Sequence, residues 1–79
     1  MEIFNNVPIN ADTVDYTKWQ TINGESLDIA NMRIEYIDRC IDLLDNQIAC
    51  KPYHVNVEVW KRYLEVFESK LNTIYAEAV

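Results

Sequence analysis

The chain has 79 residues, with 13 acidic and 7 basic side chains and a formal net charge of −6. That length holds one domain, and so small a fold buries only about 60% of its extended-chain surface, which leaves little room for a deep enzyme pocket. A hydrophobic share of 49% with a charged share of 25% argues against disorder, one Gly and two Pro argue against a turn-rich all-β fold, and the acidic balance argues against direct nucleic-acid or anionic-membrane binding.

Residues 1–26 read as an N-terminal arm. Its opening lacks the basic and apolar regions of a signal peptide, so none is expected. Asn5-Asn6-Val7-Pro8 and Asn23-Gly24 are turn signals. Between them, residues 13–22 are rich in β-branched and aromatic side chains, which favours a strand. An isolated strand has no obvious partner, however, and Asp12 can cap a helix that Gly24 would stop. A short helix over 12–22 is therefore the preferred expectation.

Residues 27–50 carry Leu27, Ala30, Ile34, Ile37, Ile41, Leu44 and Ile48 at alternating spacings of 3 and 4, a heptad stripe. Ser26 offers an N-cap, Asp28 complements the helix dipole, and Pro52 stops the run. A helix over 27–50 is expected. Cys40 and Cys50 on one such helix would stand about 15 Å apart, too far to bridge. A reducing cytoplasm is the expected setting.

A second stripe follows at Val57, Trp60, Leu64, Phe67, Leu71, Ile74 and Ala78, again at spacings of 3 and 4. Asn56 can cap this helix, expected over about 55–78, and Val55 can staple onto Trp60. The short connection Lys51-Pro52-Tyr53-His54 makes the two helices antiparallel neighbours. The expected fold is all-α: an antiparallel two-helix hairpin, coiled-coil-like, with an N-terminal arm, self-associating. Its register sets Ile37 against Leu71, Ile41 against Phe67, Leu44 against Leu64 and Ile48 against Trp60.

The seam does not use every apolar residue. Ile29, Tyr36, Cys40, Leu43, Val59, Tyr63 and Val66 line one flank of the hairpin and form a candidate apolar interface. The arm can cover it, through Ile3, Phe4, Val7, Ile9, Val14, Tyr16, Trp19 and Ile22, or a second chain can, and the two are compatible. On the solvent side, Asp28, Asn31, Glu35, Asp38, Asp42 and Asp45 follow spacings of 3, 4, 3, 4 and 3. These five acids are either a solvated face or a surface for the basic patch of a protein partner. Arg39 is placed to relieve Glu35 and Asp42.

Catalytic chemistry is hard to assemble from these residues. His54 is the only histidine and Gly24 the only glycine, so neither metal-ligand spacing nor a phosphate loop is present, and no metal or cofactor is expected. Lys51, Tyr53, His54, Lys61 and Arg62 cluster around the start of the second helix and are a candidate anion site. The competing reading pairs Lys51 with the first helix's dipole, and Lys61 and Arg62 with Glu65 and Glu58. The sequence thus predicts a non-enzymatic, acidic interaction protein, of the kind a phage or mobile element uses to block or adapt a host factor. That last step is an association from size and missing catalytic parts. The alternatives are an oligomeric binder of an anionic nucleotide and a structural assembly subunit.

Overall fold

The structure, a computed structural model, describes residues 7–21 and 24–77. A 3-10 turn at Ala11–Thr13 leads to β1 (Lys18–Gln20) and β2 (Ser26–Asp28). A second 3-10 turn at Ile29–Asn31 leads to α1 (Ile34–Cys50) and α2 (Val57–Glu77). The fold is predominantly helical: α1 and α2 pack against each other, and a small two-stranded sheet accompanies them. The molecule spans 41 × 25 × 22 Å, and the 21-residue α2, about 30 Å long, is its longest element.

The N-terminal region departs from the expected short helix over 12–22. Instead, β1 pairs antiparallel with β2, matching Lys18 to Asp28, Trp19 to Leu27 and Gln20 to Ser26. The missing strand partner is the stretch whose Ser26 signals a helix start. Period-2 alternation then decides which side chains face in. Lys18 and Asp28 meet across the strands as an exposed ion pair, whereas Trp19 turns to the other face and is only 2% exposed. The connection closes with Thr21 N–H donating to Glu25 O (2.8 Å) and Gly24 N–H to Thr21 O (3.0 Å). Gly24 sits at φ 85°, the left-handed region open to glycine at little cost.

Because β2 takes residues 26–28, α1 begins at Ile34 and not at 27. Leu27 and Ala30 leave the helical stripe. Ile29 is buried on the second 3-10 turn, and its N–H donates to Thr17 O (2.9 Å). What remains of the stripe on α1 is Ile34, Ile37, Ile41, Leu44 and Ile48.

The core is Trp19, Ile29, Ile37, Cys40, Leu44, Val59, Trp60, Tyr63 and Phe67. It is rotated from the expected seam. Ile37, Leu44, Trp60 and Phe67 are fully buried, but Ile41, Ile48, Leu64 and Leu71 are only half-buried, while the flank residues Cys40, Val59 and Tyr63 are buried. The arm is the cause, since it forms a third layer on that flank. Ile9, Ala11, Val14 and Tyr16 turn inward against the core. The intervening Asn10, Asp12, Thr13 and Asp15 stay exposed. Trp19 meets Tyr63 and Phe67 edge-on at 5.1 and 5.2 Å, and Tyr16 meets Tyr63 at 4.9 Å. Such pairs contribute about 0.5–1.5 kcal/mol each beyond the area they bury. Val7 is 61% exposed and takes no part in this packing. Ile3, Phe4 and Ile22, also expected on this flank, lie outside the described residues.

At the joint between the helices, Lys51 N–H donates to Gln47 O (2.9 Å) and His54 N–H to Lys51 O (3.2 Å). Val55 is 63% exposed and does not staple Trp60. The His54 ring does that work instead, stacked on Trp60 at 4.8 Å.

Candidate functional site

The most ordered polar arrangement is where α2 receives the arm. Asn56, directly before α2, is fully buried. Its side-chain oxygen accepts the Ile9 N–H (2.8 Å), and its Nδ2 donates to Val7 O (2.9 Å), so one amide satisfies the backbone on both sides of Pro8. Its own N–H donates to His54 Nδ1 (3.0 Å). Further along, Arg62 donates from its Nε to Glu58 (3.1 Å), and from one terminal nitrogen to the Asp12 carboxylate (3.1 Å) and Ala11 O (3.3 Å). The Tyr63 hydroxyl donates to Lys18 O (2.7 Å). The arm therefore runs along α2 in the helix's own direction, its backbone held successively by Asn56, Arg62 and Tyr63. The sequence marks Asn56 as a cap. Nothing local signals its pairing with a segment 47 and 49 positions away.

Burial shifts two groups beneath this layer. It pushes the Cys40 thiol up to about 12. It also pushes the Tyr63 phenol up to about 12, reinforced by Tyr16 and Asp15 nearby. Both stay protonated at neutral pH. Cys40 and Cys50 are both free thiols, the first buried and the second exposed.

The candidate apolar interface divides. Ile29, Cys40, Val59 and Tyr63 are buried within the single chain, because the arm and the sheet occupy the place a partner would take. Tyr36 and Val66 are half-buried and pack against the core. Leu43 is 49% exposed.

The acidic stripe loses Asp28 and Asn31 from the helix, since β2 and the second 3-10 turn take them, and its other four positions stay in water. Asp28 belongs to β2 and pairs with Lys18. Glu35, Asp38, Asp42 and Asp45 lie on α1, all exposed. The ion pairs among the described residues join Lys18 to Asp28 and Arg62 to Asp12 and Glu58, so none involves these four acids or Arg39.

The candidate anion site does not assemble. Arg62 is committed to two carboxylates, and His54 is stacked and accepting from Asn56. Tyr53 is 98% exposed, and Lys51 and Lys61 are exposed as well. The Arg62–Glu58 pair is the local i,i+4 pairing that competes with a ligand role. A shallow open cleft does exist elsewhere, between the sheet and α2, bordered by Tyr16, Thr17, Ile29, Val66 and Lys70. There Lys70 donates its ammonium to Ala30 O (2.8 Å). Among the described residues, no group of three or more His, Cys, Asp or Glu side chains is placed to hold a metal ion, and no helix is long and apolar enough to cross a membrane.

No protein-family model, no curated protein and no solved structure matches this chain.

Proposed function

We propose that the protein is a non-enzymatic, cytoplasmic interaction protein that binds and blocks or adapts a protein partner through the outer face of α1. The observation that carries this reading is the row Glu35, Asp38, Asp42 and Asp45: four exposed carboxylates at spacings of 3, 4 and 3 with no cation paired to them among the described residues. Neighbouring like charges on a helix repel by a few tenths of a kcal/mol per pair. A basic surface docking on the row relieves that repulsion and gains the complementary field that guides association. Small size and an acidic outer face suit an inhibitor or adaptor of the kind a phage or mobile element uses.

The test is capture of basic proteins by the full chain beside the triple variant Asp38→Asn, Asp42→Asn, Asp45→Asn. Binding should fall at least tenfold in the variant and weaken with salt for the parent chain. Capture that is unchanged by both the substitutions and salt would remove the acidic face from the mechanism.

A second reading is favoured by Leu43, which is 49% exposed on α1. In this reading α1 and α2 form an antiparallel, coiled-coil-like hairpin, and two copies associate through the Leu43 face.

A further inference from the structure

The contacts between the arm and α2 are those of a peptide in a receptor. An extended ligand is held when side chains of the receptor satisfy its backbone while alternate ligand side chains fill apolar positions. Asn56 satisfies the Val7 carbonyl and the Ile9 amide, and Arg62 reaches the Ala11 carbonyl and the Asp12 carboxylate. Ile9, Ala11 and Val14 turn inward, while Asn10, Asp12 and Thr13 face water. Behind this stretch, residues 15–18 form a tight turn, with Lys18 N–H donating to Asp15 O (3.2 Å). The Asp15 carboxylate accepts from the Thr17 N–H (3.0 Å) and hydroxyl (2.5 Å). The turn separates the arm from Trp19, which stays anchored in the core. A segment held by docking contacts on one side of a single turn can leave without dismantling β1, β2 or the helices.

We infer that the α2 face bearing Asn56 and Arg62 is a groove for a peptide that is extended on either side of one 3-10 turn, and that residues 7–14 of a second copy of this chain are the partner it fits. The second copy is favoured because its segment reproduces every contact seen in the single chain, including the Asp12–Arg62 charge pair. Opening the turn at 15–18 then lets two copies trade arms, the usual low-cost route by which a monomer becomes a dimer. Within one chain the arm competes at an effective concentration in the millimolar range, so exchange is latent until the arm of one copy is weakened. The inference deepens the self-association reading above by naming the segment exchanged.

Two full-length variants with complementary defects test it. Ile9→Asp spoils the arm and keeps the groove, whereas Asn56→Ala spoils the groove and keeps the arm. Mixed one to one, they should form a heterodimer by sedimentation and native mass spectrometry, while Ile9→Asp alone stays monomeric. A synthetic peptide of residues 7–17 should bind the Ile9→Asp chain, and bind about ten- to a hundredfold more weakly when Asn56→Ala is added. If circular dichroism shows Ile9→Asp to be unfolded, Ile9→Ala takes its place. Variants that remain separate, together with a peptide that does not bind the folded arm variant at millimolar concentration, overturn the inference. Leu43→Asp keeps the two readings apart. A wild-type dimer that Leu43→Asp dissolves, alongside failed complementation, overturns exchange alone. Complementation that survives in the Leu43→Asp background supports exchange and removes the Leu43 face.

Discussion

α1 and α2 carry the same heptad arithmetic and live in different surroundings. α1 buries Ile37, Cys40 and Leu44, a narrow strip edged by the half-buried Tyr36, Ile41 and Ile48, and turns its outer face, with its carboxylates, to water. α2 buries Val59, Trp60, Tyr63 and Phe67, a wider arc, because α1 and the arm both lie against it. The difference teaches that α2 is the organising element, with two layers packed on it. Periodicity reports how many side chains want to be covered, and only the rest of the chain determines what covers them.

The largest expected break in this comparison comes at the residue where the layers converge. Trp60→Ala removes a fully buried indole and the stacking partner of His54, and should cost about 3–5 kcal/mol in chemical denaturation. An exposed α1 position such as Asn46→Ala should stay within about 0.5 kcal/mol. A chain this short has little stability to lose, so the Trp60 variant is expected near the threshold of folding.

Alkaline titration comes next. Cys40 ordinarily ionises near 9.0 and Tyr63 near 10.0, and burial raises both to about 12. The folded chain therefore retains protons that the unfolded chain releases. Stability is full below about pH 9 and falls as pH rises toward 12. Circular dichroism of Cys40→Ala should place the onset of this loss later, near pH 10, where the buried Tyr63 phenol and the Tyr16 phenol, also raised by burial, remain. An onset unchanged by the substitution would mean that Cys40 is reached by water.

Asn56→Ala should cost about 1–3 kcal/mol, since the Ile9 N–H and Val7 carbonyl lose their partner. Faster hydrogen exchange at Ile9 in the variant, with α1 amides unchanged, would assign the loss to the arm layer. The smallest effect belongs to the acidic row. The triple Asn variant should gain a few tenths of a kcal/mol at low salt, and the gain should vanish at high salt. A loss of stability there would mean that the carboxylates make contacts within the fold.

The two helices were legible because their signal is local. Trp60, Leu64, Phe67 and Leu71 recur within one continuous segment, and Pro52 marks its upstream limit. The start of α1 was not legible for the same reason. Ser26 and Asp28 resemble a cap and a first-turn acid only while residues 18–20 are out of view. Once the strands pair, Ser26 matches Gln20 and Asp28 matches Lys18, and the tertiary arrangement overrides the local preference. The acids at 35, 38, 42 and 45 were legible as a row, since spacing alone puts them on one face. For the candidate anion cluster, nearness in sequence does not show that Arg62 is held by Asp12, 50 positions away. The role of Asn56 was hidden in the same way.

The Asn56 amide engages carbonyl and amide groups that every residue but proline possesses in full, and Arg62 adds one more carbonyl. Such recognition is largely blind to the identity of the residues it holds. Val7, whose side chain is exposed, is therefore free to drift over generations while the path of the arm is kept, whereas Asn10 caps the 3-10 turn with its own side chain and Asn56 has no close substitute with a donor and an acceptor at the same reach. Two descendants of this chain could differ at Val7 and still fold alike, provided that the inward Ile9, Ala11 and Val14 stay apolar and Asp12 keeps its charge. The positions that tie them together would lie on α2 and its threshold.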